Sequence, residues 1–200
     1  MTMSAGERRR HEIMDAAHQC FISKGYQATT IDDILTATGI AKGTLYYHFP
    51  GKEDIMHAII DRVVQTIVTR ARAVADSPVP PQEKIEPFIL SARVQGEDAS
   101  LIGQFHTPGN AEFHVLSITA TVRALAPILA EIITEGNESG SFATAFPQET
   151  AELILTSAFM LTDQGFFPTD DTRFEQRLQA IRLGIWKLLG STPPHEPTRS

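Results

Sequence analysis

The sequence predicts an all-α chain of about nine helices, a three-helix head followed by a larger helical domain. Three observations predict it. Apolar residues recur at steps of three and four in stretch after stretch, the period of an amphipathic helix. No stretch sustains the alternation of a half-buried strand, and no hairpin turn separates two apolar runs. Glycine or proline stands at most joints between the periodic stretches, where it punctuates helices.

The first helix is predicted over 7–24, with Ile13, Ala17, Cys20 and Phe21 as its inner stripe and residues 1–6 as a mobile tail. Gly25 stops it. Thr30 can N-cap the second helix with Asp33 as capping-box partner, and Ile31, Ile34 and Leu35 share its apolar face. Gly39 ends it, Ile40 follows as a buried plug, and a third short helix runs over 41–48 with Leu45 and Phe49 inward. Ala41 is a poor cap for that helix. Two short helices joined by a glycine-containing turn make a helix-turn-helix, whose second helix fits the DNA major groove.

Pro50-Gly51 turns the chain into a fourth helix over 52–75, with Ile55, Ile59, Val63 and Ile67 stepping by four. Prolines at 78, 80 and 81 break it. A fifth helix follows over 82–95, with Pro87 near its first turns, and a sixth over 99–106. Thr107-Pro108 reads as the start of a seventh, running to 135 with Pro127 inside. An eighth covers 147–166 and a ninth 172–189. The domains are therefore placed at 1–55 (head), 56–190 (helical domain) and 191–200 (proline-rich disordered tail).

At 200 residues and 42% hydrophobic, the chain can bury a substantial core, and neither disorder nor a fibre is suggested. The lone Cys20 reads as a small buried residue in a reducing compartment, with a reactive thiol as the minor alternative. The polar first twelve residues do not make a secretory signal, and no apolar run approaches the roughly 20 residues that span a bilayer, so a cytoplasmic chain without a membrane partner is expected. The net charge of -7 is uneven: residues 1–62 hold seven Lys/Arg against eight Asp/Glu, residues 63–200 ten against sixteen. The head is thus nearly neutral, with bases gathered at Arg8–Arg10, Lys42 and Lys52. Nonspecific attraction to DNA is expected to be modest and salt-sensitive. Arg8, Arg9 and Arg10 read equally as phosphate contacts or as a solvated charge run.

From its chemistry, Lys42 can donate to guanine or phosphate, Gly43 permits close backbone approach, and Thr44 can meet a thymine methyl or a phosphate. Thr29 and Thr30 stand where free helix amides can meet phosphates. The ninth helix carries a seam of Phe174, Leu178, Ile181, Ile185 and Leu188, and the eighth a similar spacing of small residues including Leu155, Ala158 and Thr162. Two such helices from each copy can form a four-helix homodimer interface; packing within one chain is the alternative. No Gly-x-Ser-x-Gly elbow, phosphate loop or zinc-protease motif is present, so an enzyme is not expected; a helical enzyme would need a converging acid–base or metal set. Glu112 and His114 point apart on one helix, so neither a metal nor a cofactor is expected; His106 with Asn110 or His114 is the alternative that spacing leaves open.

The stretch TGIAKGTLYYHFPGKEDI resembles the signature of the TetR family of one-component transcriptional regulators, and the likeness covers about residues 7–60. Ala41 departs from the serine cap of many relatives. The resemblance implies that Tyr46, Tyr47 and His48 touch DNA backbone and some bases, with partial burial as the alternative for Tyr46, and that Lys52 meets a phosphate. It also implies a Gly-x-x-x-Gly-x-Phe link at Gly136, Gly140 and Phe142, and an inducer pocket on the fifth to eighth helices. Phe88, Phe105, Phe113, Phe159 and Phe166, with His106, His114 and Asp163, are the candidate lining; plain core is the alternative for each phenylalanine. The function so implied is a repressor, released from a palindromic operator when a small, largely apolar or aromatic inducer tilts the fourth helix. An activator, or a ligand-independent DNA-binding regulator, is the runner-up.

Overall fold

The computed structural model describes residues 3–93, 96–105 and 110–193. Among these residues all regular structure is α-helical: α1 (Ala5–Lys24), α2 (Ile31–Thr38), α3 (Lys42–His48), α4 (Lys52–Ala75), α5 (Pro81–Ser91), α6 (Gly96–Phe105), α7 (Ala111–Glu138), α8 (Pro147–Thr162) and α9 (Asp171–Leu188). The all-α expectation holds.

The chain divides into two compact units. The first comprises Met1–Gln65 and Val94–Ser117, the second Thr66–Arg93 and Ile118–Ser200. A boundary at 55/56 would fall inside α4, whereas the units divide after Gln65, ten residues further along that helix. The first unit also takes in α6 and the first turns of α7, which a reading of contiguous domains does not anticipate.

In the first unit, α1 starts earlier than its apolar period suggests. Ser4 caps it: its hydroxyl accepts from the Glu7 amide at 3.1 Å, and the Glu7 carboxylate accepts from the Ser4 amide at 2.7 Å. This capping box orders residues assigned to a mobile tail. Ile13, Met14, Ala17 and Phe21 are its buried stripe, joined by His18. Cys20 is half-buried rather than buried, and burial pushes its thiol up from the usual value. Thr30 and Asp33 form the expected capping box on α2, and Gly39 takes the left-handed conformation at φ 67°. Ile55, Met56 and Ile59 of α4 are sealed from solvent. Burying each such side chain contributes roughly 1.5–3 kcal/mol.

In the second unit, α7 supplies a buried stripe of Leu125, Ala126, Leu129, Ile132 and Ile133. By length and composition this helix could cross a membrane, contrary to the expectation that no apolar run would; its stripe is that of a core helix. It runs on through Gly136 to Glu138, because the chain turns at Gly140 (φ 75°) instead. Gly136 has a different task. A Cβ there would lie 2.0 Å from the Phe142 ring, so the missing side chain is where that ring sits. Phe142 in turn lies 6.3 Å from the Trp186 ring of α9. Lys84 of α5 is 4% exposed, and its ammonium donates to the Ala75 carbonyl at the end of α4 (2.9 Å) and to Glu135 of α7 (2.8 Å).

Two helices stop short of their sequence periods. α5 closes at Ala92, whose amide folds back on Ile89 and Leu90. α8 stops at Thr162 because Asp163 turns out of the helix, and its carboxylate accepts from the Gly165 (2.8 Å) and Phe166 (3.2 Å) amides. Such an Asx turn competes with helix continuation. Residues 106–109, with the Thr107-Pro108 start signal, and 194–200 of the tail lie outside the described residues.

Candidate nucleic-acid interface

Helix α3 has seven residues, too few to persist alone, so its conformation rests on what it packs against. Leu45 (0% exposed) and Phe49 (1%) anchor its inner side. Ala41 provides no side-chain cap. The outer side is left open: Lys42, Gly43, Tyr46 and Tyr47 are exposed, Tyr47 to 84%, and Thr44 and His48 are half-buried. The Lys42 ammonium lies 6.0 Å over the Tyr46 ring, and the Tyr47 and His48 rings meet edge to face at 5.1 Å. A Cβ built on Gly43 meets nothing within 4 Å. One short helix therefore carries a cation, two phenols, an imidazole and a bare backbone step on a single outward surface. That set can donate to phosphates and base edges. Tyr46, at 44% exposure, stays on the outward side.

Three residues assigned to DNA contact already have internal partners. Thr29 is 1% exposed, and its hydroxyl donates to the carbonyls of Gly25 (2.7 Å) and Cys20 (3.1 Å), so it fastens the turn after α1. The Thr30 hydroxyl accepts from the Asp33 amide and lies 2.7 Å from the Asp33 carboxylate, though the residue itself is exposed. Lys52 donates to the carbonyls of Tyr26 (2.7 Å) and Thr29 (2.8 Å) and sits 4.3 Å over the Tyr26 ring. Burial pulls its ammonium below the usual lysine value. Asp33, fixed by Lys24 at 2.8 Å and by Thr30, is held well below the usual carboxylate range, mainly by the Lys24 hydrogen bond.

The arginines of α1 are likewise engaged. Arg8 donates to the Met3 carbonyl at 2.5 Å, Arg9 pairs with Glu12, and Arg10 reaches the far end of α3. Sequence periodicity carries no trace of that last contact, which spans 38 positions.

The candidate inducer residues fall in both units. Phe113 and His114 are buried in the first. Phe113 sits 4.6 Å from Tyr26, which lies 5.2 Å from Phe21, so it packs in the core of the first unit. Phe105 ends α6, and His106 lies outside the described residues. Phe88, Phe159, Asp163 and Phe166 belong to the second unit; Phe88 is fully buried, and the Asp163 carboxylate serves its turn. Of the candidate dimer residues, Leu155, Ala158 and Ile185 are at most 7% exposed within one chain, so they are core. Thr162, Phe174, Leu178 and Ile181 are half-buried. The exposed apolar residues of α8 and α9 are Leu153, Leu183 and Leu188. No three metal-ligating side chains gather among the described residues.

The head matches the family model for bacterial regulatory proteins of the tetR family over residues 13–59, and residues 93–183 match the model for tetracyclin repressor-like C-terminal domains. The chain belongs to the TetR family. TetR-family proteins are DNA-binding transcriptional regulators, and α3 occupies the recognition position of the helix-turn-helix. The chain is 27% identical to the HTH-type transcriptional repressor KstR2 of Rhodococcus jostii, over 88% of this chain and 91% of that protein. It is 31% identical to KstR2 of Mycobacterium tuberculosis, but that match spans only 42% of each chain. In fold it is similar to a TetR/AcrR-family transcriptional regulator of Thermobifida fusca, with a TM-score of 0.63 at 24% identity over 87% of this chain and 96% of that one. It is also similar to GusR of Salmonella enterica, with a TM-score of 0.62 at 22% identity over 94% and 98%.

Proposed function

We propose that this TetR-family chain is a cytoplasmic transcriptional repressor that grips a palindromic operator as a homodimer and lets go when a small, largely apolar or aromatic molecule binds its C-terminal helical domain. The observation that carries the DNA reading is the outward face of α3, where Lys42, Tyr46 and Tyr47 stand clear over the Leu45–Phe49 anchor. Repression is favoured by the KstR2 likeness along most of the chain. Two recognition helices on a dimer would meet major grooves about 34 Å apart, so a small change in their separation breaks simultaneous docking. Inducer and operator then weaken each other by the same factor.

The dimer face we favour is the exposed and half-buried side of α8 and α9 around Leu153 and Leu188, rather than the fully buried Leu155, Ala158 and Ile185. Leu153 and Met160 are seven apart on α8; Ile181, Gly184 and Leu188 run along one side of α9. Gly184 has open space around it, which suits close approach of a second helix.

The test is recovery of genomic fragments by the purified protein, followed by gel-shift with Tyr47→Ala. The variant is expected to lose the recovered fragment while light scattering still reports a dimer. Undiminished binding by Tyr47→Ala would remove α3 from the interface.

A further inference from the structure

We infer that Arg10, on α1, is a positioning residue for the recognition helix: its guanidinium closes the C-terminal end of α3 and sets where the DNA-facing residues stand. This rests on the reading of α3 as the DNA-contacting helix. The bond is specific. Arg10 Nη1 donates to the His48 carbonyl at 3.0 Å, and the guanidinium carbon lies 4.0 Å over the Phe49 ring. His48 is the last residue of α3 and Phe49 its C-cap.

The geometry answers a need that α3 has and α1 and α2 do not. It spans only about 10 Å, two turns. Its first turn lacks a side-chain cap, whereas α1 and α2 each start with a full capping box. The last carbonyls of any helix lack intrahelical partners. A cation there satisfies one of them and complements the negative end of the dipole. The same cation covers the face of Phe49, the residue that pins α3 inward. Arg10 thus ties α1 to the end of α3, so that Tyr46, Tyr47 and His48 keep one orientation. A flexible lysine would deliver the charge but not the planar overlay. Arg8 and Arg9 make only near-neighbour contacts, so the three arginines are not equivalent.

The experiment separates positioning from direct phosphate contact by salt dependence. The probe is a fluorescein-labelled duplex recovered from a random-sequence library by the wild-type protein. Its affinity is measured by anisotropy over a salt series for wild type, Arg10→Gln and Arg10→Lys, with amide hydrogen exchange on each protein without DNA. The expected result is about tenfold weaker binding for Arg10→Gln, the size of losing one hydrogen bond from a charged donor. Its slope of log affinity against log salt should stay parallel to wild type. Arg10→Lys should fall between. Exchange should rise at residues 45–49 in both variants and stay unchanged in α2 and the start of α4.

A phosphate contact gives the opposite pattern: the slope shallows by about 0.9 in Arg10→Gln, Arg10→Lys behaves as wild type, and exchange in α3 does not move. That pattern, or unchanged affinity in both variants, overturns the inference. If Arg10→Gln loses protection throughout the head, Arg10→Lys alone carries the comparison. If the wild-type protein recovers no duplex, the DNA reading of α3 fails, while exchange at 45–49 still decides whether Arg10 braces the helix.

Discussion

Substituting Gly43 by alanine should move stability and DNA affinity in opposite directions. Gly43 is the second residue of α3, and a Cβ there meets nothing within 4 Å. The fold therefore accepts the methyl without strain. Alanine is favoured over glycine by up to about 1 kcal/mol in a helix interior. Half of that, about 0.5 kcal/mol, is reasonable so near the helix start, and for a chain this size it raises Tm by roughly 1–2 °C. Against DNA the same methyl stands on the outward surface beside Lys42 and Thr44. Carbon atoms pack no closer than about 3.5–4.0 Å, so a docked backbone must retreat. Losing one good base contact in that retreat costs about 1–3 kcal/mol, or roughly five- to 150-fold in affinity. Circular dichroism melts and fluorescence anisotropy on a selected duplex measure the two effects on one preparation. A variant that is more stable and binds as tightly as wild type would refute the placement of the first turn of α3 against DNA.

Gly136→Ala should be destabilising, since its Cβ would sit 2.0 Å from a ring that is itself 3% exposed; a loss of about 2 kcal/mol, or roughly 4–8 °C in a thermal melt, is expected. An unchanged melt would mean that Phe142 does not rest on that glycine. Burial, aided by Glu53, Glu112 and Asp54, pushes the Tyr26 hydroxyl up to about 12. Its folded value exceeds the ordinary value of about 10, so its contribution is whole below pH 10 and fades as pH climbs towards 12. Tyr26→Phe should blunt that alkaline loss in urea titrations at stepped pH; identical pH profiles would exclude Tyr26 as its source. Leu188→Asp, on the exposed side of α9 at 40% exposure, should give monomers by light scattering with helicity intact. Dimers persisting at low micromolar concentration would move the interface elsewhere.

Sequence alone reached the elements whose determinants are local. The Thr30–Asp33 capping box, the left-handed Gly39, the uncapped Ala41 and the inward Leu45–Phe49 pair all follow from residues within one or two turns. The outward face of α3 was legible for the same reason, since helical spacing leaves Lys42 and Tyr47 opposite the anchors. What escaped is long-range pairing. Lys52 looks like a free cation at a helix start, yet the carbonyls of Tyr26 and Thr29, more than twenty positions earlier, take its hydrogens. Phe113 reads from sequence as either pocket lining or plain core, and its ring packing on Tyr26 favours the core reading. The α8–α9 seam shows the limit of periodicity itself. A stripe of Leu155, Ala158 and Ile185 announces a packing surface without saying whether the partner is the same chain or another. The less tidy exposed apolar residues beside the stripe carry the intermolecular candidate.

The ammonium of Lys84 leaves an asymmetric legacy for drift in this lineage. Its side chain is 5% exposed, while that of its partner Glu135 is 50% exposed. If the glutamate mutates first, a sealed-in cation keeps only the Ala75 carbonyl, a costly state for a charge. If the lysine is first exchanged for an apolar residue of like length, the glutamate simply turns to water. The pair can therefore be dismantled cheaply in one order only, and descendants that have lost it should have passed through an intermediate that still carried the acid.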